Sequence, residues 1–260
     1  MNLKLAAVRS LILAFASFFI ATASVAQDVS FPPFERHIDG PAGRFKVSSS
    51  ARFYRAGASL NFDVDLKVLG LADAIENFMS GWRKDQVCGR IARVSSANAV
   101  FQPPYLRIEG TIEPGQWICQ KAPVCKVKEG FPPTIQCYPE TVVKTKLAGA
   151  PQQYCSMYYA KVDGDTLDID LSLPNCADSA PIDGVELAEY LRAKIGDTFH
   201  QLIGEAGLRG LLPSEAMRFH PSFLGASLEK ADGPEVVILV RGNLSGDPES
   251  ALKVLSEVAH

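Results

Sequence analysis

Residues 60–68 alternate without a fault. Leu60, Phe62, Val64, Leu66 and Val68 are apolar, and Asn61, Asp63, Asp65 and Lys67 between them are polar or charged. Successive side chains of a strand point to opposite faces, so this segment suits a strand with one oily and one wet side. That predicts an antiparallel sheet covered on one face, rather than a parallel sheet buried on both. The alternation returns at 167–173, with Leu167, Ile169, Leu171 and Leu173 set against Asp168, Asp170 and Ser172.

A helical period follows each strand. Leu71, Ala74, Ile75, Phe78, Met79 and Trp82 recur at spacings of three and four, as do Val185, Ala188, Leu191, Ile195, Phe199, Leu202, Ile203 and Ala206. Each set makes one apolar stripe on a helix. Asp183 with Glu186 reads as a capping-box-like start, and Gly207 suits the left-handed position that ends a helix. Closing strands then align around one glycine each, Leu106-Arg107-Ile108-Glu109-Gly110 and Ile238-Leu239-Val240-Arg241-Gly242. A glycine inside a strand marks a bulge, a bend or a close backbone approach. The spans 60–115 and 167–246 therefore read as a duplicated unit or as two ordinary antiparallel units of similar pattern. The expected fold is α+β: long antiparallel strands with amphipathic helices packed on one face, each half being strand, strand, helix, strand, strand.

Residues 1–26 form a separate object. Lys4 and Arg9 precede an apolar run from Leu11 to Ile20, and Ser24-Val25-Ala26 ends in small residues, the pattern of a secretory signal peptide. The apolar run is short for a membrane span, so no integral segment is expected after cleavage. A chain cut after Ala26 would carry a net charge of −5 and shows no basic stripe, which argues against a nucleic-acid partner. The expected address is periplasmic or secreted.

All six cysteines, Cys88, Cys119, Cys125, Cys137, Cys155 and Cys176, follow the leader, and an even number in an exported chain reads as disulfides. Facing residues of a hairpin have a constant index sum. Cys88 with Cys119 centres on Pro103-Pro104, Cys125 with Cys137 on Phe131, and Cys155 with Cys176 near Asp163-Gly164, three places where the chain should turn. The expected pairs are therefore 88–119, 125–137 and 155–176. No C-x-x-C pattern supports a metal site.

The remaining segmentation follows from punctuation. Residues 27–43 hold three prolines and two glycines and read as an extended linker carrying a solvated His37. A first αβ unit is expected at 44–119, a Cys/Pro-rich connector at 120–150 and a second αβ unit at 151–260. Within the connector, only a small hairpin around Phe131 and a short strand at 141–147 are expected. Asp247-Pro248 should cap a last helix with Ala251, Leu252, Leu255 and Val258 on one face.

The motifs of serine hydrolases, zinc proteases, P-loops and dinucleotide folds are absent, so neither an enzyme nor a cofactor is expected. His200 and His220 are the remaining catalytic candidates, and each reads more simply as structural or solvated. Asp163, Asp165, Asp168 and Asp170 could hold calcium, although two are turn residues and two belong to the wet face of a strand. Tyr154, Tyr158 and Tyr159 with Met157 could line a groove or pack across strands. Asn243-Leu244-Ser245 is a glycosylation sequon at a strand end.

Alternating strand, amphipathic helix and L-x-I-x-G strand, occurring twice, is similar to the tubular lipid-binding superfamily, the group that includes the bactericidal permeability-increasing proteins. That resemblance implies a curved sheet around a helix and a lipid held along an apolar groove. It directs attention to Phe62, Val64, Leu66, Ile108, Phe199, Leu202 and Ile203 as an apolar ligand-binding set. The same residues would equally suit a dry core, in which case the chain is an envelope scaffold or adaptor with a protein partner.

Overall fold

The computed structural model describes residues 28–259, apart from 41, 42, 131, 133, 180 and 231–234. The leader lies outside the described residues. Among the described residues, eleven strands and three α-helices follow one another in the order β1 (Val29–Gly40), β2 (Gly43–Ala56), β3 (Ser59–Leu69), α1 (Leu71–Gly81), β4 (Arg83–Asp85), β5 (Arg90–Gln102) and β6 (Tyr105–Lys128). Then come β7 (Thr134–Ala148), β8 (Gln152–Asp163), β9 (Thr166–Leu173), α2 (Gly184–Ile203), β10 (Ser222–Lys230), β11 (Glu235–Leu244) and α3 (Pro248–Val258). Two short 3-10 turns, Gly207–Leu211 and Ser214–Phe219, join α2 to β10.

The strands form two antiparallel sheets, as the alternation requires. One runs β1-β2-β3-β11-β10; the other runs β4-β5-β6-β8-β9, with β7 attached to the far half of β6. The fold is α+β with long antiparallel strands. In β3 the five apolar side chains, Leu60, Phe62, Val64, Leu66 and Val68, are at most 1% exposed. Burying such side chains is worth about 1.5–3 kcal/mol each, which makes this strand the centre of its sheet. Helix α1 lies on β5 and reaches β11, while α2 lies on β9 and β8 and reaches β1. Each helix thereby touches both sheets, and the apolar faces share one continuous core. Helix α3 covers β1, β2 and β3 with Ala251, Leu252 and Leu255, and its Asp247 cap accepts the Ser250 amide at 2.9 Å.

The two spans read as separate units are interleaved instead. Residues 44–119 contribute β2 and β3 to one sheet and β4–β6 to the other; residues 151–260 contribute β8 and β9 to the second sheet and β10 and β11 to the first. The first alternating strand pairs with the last strand of the chain, Leu60 opposite Leu244 through Leu69 opposite Glu235. The neighbours differ in the other sheet, where β6 pairs with β8 and leaves β9 at the edge. The two halves therefore follow the same order of elements without the same pairing.

Two further expectations are corrected. The linker contains β1, which pairs with β2 along its length, and Pro32 and Pro33 sit where the register shifts between Phe31 and Phe34. Proline is tolerated on an edge strand at a bulge, because the missing N–H is not needed there. The connector is built the same way: β6 runs unbroken to Lys128 and β7 returns to Ala148, with Pro123 at the register shift between Ala122 and Val124. The outcome is a long two-stranded ribbon.

The disulfides join Cys88 to Cys119, Cys125 to Cys137 and Cys155 to Cys176, the pairs that hairpin centring gives. Cys125 and Cys137 are register partners across the ribbon, and the Cys176 amide donates to the Cys155 carbonyl at 3.0 Å. Among the described residues no helix is long and apolar enough to cross a membrane.

Candidate functional site

The seven residues expected along an apolar groove converge, but as filling. Phe62, Val64, Leu66, Ile108, Phe199 and Leu202 are 0% exposed and Ile203 is 3% exposed, all within the shared core. The helix packs directly on its sheet, and these side chains fill the space between them. A hydrocarbon tail gains about 1–3 kcal/mol per side chain only by covering surface that is otherwise wet. Here that surface is already covered by protein.

Across the face of the first sheet runs an aromatic row. Phe31 meets Phe53 at 5.7 Å between ring centroids, Phe53 meets Phe62 at 5.9 Å, and Phe62 meets Phe223 at 5.4 Å. The last contact skips a strand. The ring of Phe62 passes over Gly242 of β11, where a Cβ would stand 2.1 Å from Phe62 Cζ. Gly110 plays the matching part in the other sheet, under the methyl of Met79 from α1. Each glycine also sits beside a bulge in the preceding strand, at 94–96 in β5 and at 223–225 in β10.

The tyrosines divide by face. Tyr154, Ser156 and Tyr158 point inward from β8 and link their hydroxyls: Tyr154 to Ser156 at 2.7 Å, Ser156 donating to Tyr158 at 2.9 Å, and Tyr158 donating to the Ala188 carbonyl of α2 at 3.1 Å. Burial pushes the phenols of both Tyr154 and Tyr158 upward, so they stay protonated and serve as a polar seam between sheet and helix. Tyr159 faces outward at 37% exposure.

Asp183 is 3% exposed, and its carboxylate makes no hydrogen bond to the amides it precedes at the start of α2. It accepts instead from Lys84 at 3.1 Å and from Arg90 at 2.9 Å. The Lys84 ammonium, held by Glu186 and by Asp183, is shifted upward and stays charged. The other end of α2 also differs from expectation: the helix stops at Ile203, with Gly204 at φ 72°. Gly207 instead opens the following 3-10 turn, close against the Asp165 carbonyl.

The catalytic and metal candidates do not assemble. His200 at the end of α2 and His220 after the second 3-10 turn are both exposed. Asp165 pairs with Arg209 at 2.6 Å, Asp170 with Lys161 at 3.0 Å, and Asp168 accepts from the Ile169 amide at 2.7 Å. Among the described residues no three His, Cys, Asp or Glu side chains converge on a metal position.

What the sequence did not announce lies at the foot of the ribbon. One cleft of about 340 Å³ opens between β4, β5, β6 and the end of β7, and a second of about 400 Å³ opens between the ribbon base and the start of α2. They share Pro114, Ala148 and Gly149, and neither is lined by any of the seven groove candidates. In the first, the Trp117 indole donates to Asp85 at 3.1 Å, and the Arg93 guanidinium, bonded to Glu113 at 2.7 Å, holds that carboxyl below its usual range. No periodicity marks these residues, because strand ends and a long register bring them together. Comparison with protein-family models, curated proteins and solved structures finds no match.

Proposed function

We propose that this chain is a non-enzymatic exported protein, periplasmic or secreted, that acts as an envelope scaffold or adaptor and engages a protein partner through its ribbon. One observation carries the reading. Beyond Trp117, β6 and β7 pair, among the described residues, only with each other through ten register positions, from Ile118 opposite Thr145 to Lys128 opposite Thr134. Side chains 125–130, 134–137 and 144–148 are exposed, and Val127 and Ile135, register partners, are 65% and 72% exposed. An isolated two-stranded ribbon is marginal in water, and an unpaired strand edge is a ready template for an added strand. Three disulfides in the structure suit an oxidising compartment; one, Cys125–Cys137, cross-links the two ribbon strands, and another, Cys88–Cys119, ties the ribbon base.

The test replaces residues 120–147 with a short Gly-Ser turn and compares both forms by cross-linking and pull-down from the native envelope. A specific protein retained by the whole chain and lost by the ribbonless chain is the expected result. Equal capture by both forms would overturn the assignment to the ribbon. A lipid that co-purifies in native mass spectra of the mildly extracted protein would overturn the dry-core reading.

A further inference from the structure

The cleft between β4 and the ribbon base combines three properties that seldom meet by packing alone. The first is charge. Arg83, Lys84, Arg93 and Lys146 line it against only Asp85 and Glu113, in a chain whose overall charge is −3. Arg93 is taken by Glu113 at 2.6 Å, and Lys84 by Asp183 at 3.1 Å. Arg83 and Lys146 have no ion-pair partner among the described residues. The second is an apolar lining: Trp117 forms a wall beside Ile91, Ala92 and Pro114.

The third is rigidity. The Trp117 amide donates to the Gly89 carbonyl at 2.8 Å, next to the Cys88–Cys119 disulfide, and the Gly149 amide donates to the Pro114 carbonyl at 2.9 Å. The indole is held a second time by Asp85. A volume of about 340 Å³ falls at the lower end of the range for small-molecule sites. A wall preorganised in this way loses little freedom on binding.

We propose that this cleft is a binding site for a small organic anion with a flat apolar body, an aromatic carboxylate or sulfonate, whose ring lies against Trp117 and whose charge meets Arg83 and Lys146. The carboxylates of Asp85 and Glu113 are already engaged, so they oppose the anion less than free carboxylates would. This site lies at the base of the ribbon, where Trp117 and Lys146 are register partners, and its proposal does not depend on a protein partner binding farther along the ribbon.

The probe is 1-naphthoate, titrated calorimetrically into the disulfide-intact protein beside its neutral analogue 1-naphthalenemethanol and inorganic phosphate. Naphthoate should bind with one-to-one stoichiometry, the alcohol at least ~10-fold more weakly, and phosphate without measurable heat, since a charge-assisted contact is worth about one decade in affinity. Arg83→Glu with Lys146→Glu should weaken naphthoate by at least ~10-fold at unchanged melting temperature, because both side chains are exposed. Trp117→Ala should weaken naphthoate and the alcohol alike. The proposal is overturned by no naphthoate binding at millimolar concentration, by equal binding of acid and alcohol, or by naphthoate affinity untouched in the double charge variant.

Discussion

Gly110 and Gly242 show how much depends on the absence of a methyl group. A Cβ at 110 would lie 2.2 Å from the Ser96 carbonyl oxygen and 2.4 Å from Met79 Cε; at 242 it would lie 2.1 Å from Phe62 Cζ and 2.5 Å from the Ser222 carbonyl oxygen. Neither φ is left-handed, so the requirement is space rather than backbone freedom. Backbone oxygens cannot rotate away, and overpacking of this kind costs typically 1–3 kcal/mol. Gly110→Ala and Gly242→Ala should each lower the denaturant midpoint by about that much, whereas Gly225→Ala, with nothing within 4 Å, should stay within about 0.5 kcal/mol. Equal effects at all three positions would refute the close-approach account. The buried phenols give a second expectation. Tyr154 and Tyr158 have folded-state pKa values raised by burial, so their contribution is complete below the ordinary tyrosine value of about 10 and declines as pH rises above it. Ultraviolet titration should find two of the seven tyrosines silent until the protein unfolds in alkali.

At the scale of the element, prolines and disulfides decide what the strands become. Pro32, Pro33 and Pro123 look like interruptions in the sequence, yet each sits at a register shift on a strand that continues past it. The hairpins were legible because their turns are local: Pro103-Pro104 joins β5 to β6, and Gly164, at φ 60°, joins β8 to β9. The helix ends were less so. Asp183 carries the local signature of a cap, but Lys84 and Arg90 from other elements claim its carboxylate. The ribbon yields a prediction of its own. Closing a loop of this kind stabilises by roughly 3 kcal/mol through the unfolded chain. Because Cys125 and Cys137 are exposed register partners in the ribbon, outside the shared core, Cys125→Ser with Cys137→Ser should raise amide exchange within β6 and β7 beyond Trp117 while leaving the β3 and β11 amides unchanged. Cys155→Ser with Cys176→Ser should instead lower global stability, since Cys155 is 3% exposed beside the core. Loss of β3 protection in the ribbon variant would show that the ribbon supports the body.

For the whole molecule, interleaving replaces the division at 120–150. The ten register positions between β3 and β11 and the eight between β6 and β8 both join residues from opposite halves. Neither 44–119 nor 151–260 can then bury its alternating strands alone. Each fragment should be unstructured by circular dichroism, the pair should recover signal on mixing, and the intact chain should melt in one transition; a folded fragment would contradict the shared core. The sequence by itself determined the alternating strand β3 with its wet and oily faces, the amphipathic helices and the three disulfides, because each follows from periodicity or from a turn close by in the chain, whereas β1 and the full length of the ribbon do not. Only the tertiary structure decided which strand meets which, whether Phe62 and Phe199 face a channel or one another, and that Trp117 shares a cleft with Arg83. Those outcomes depend on contacts between residues far apart in the chain, and the side chains that suit a groove are the same ones that suit a core.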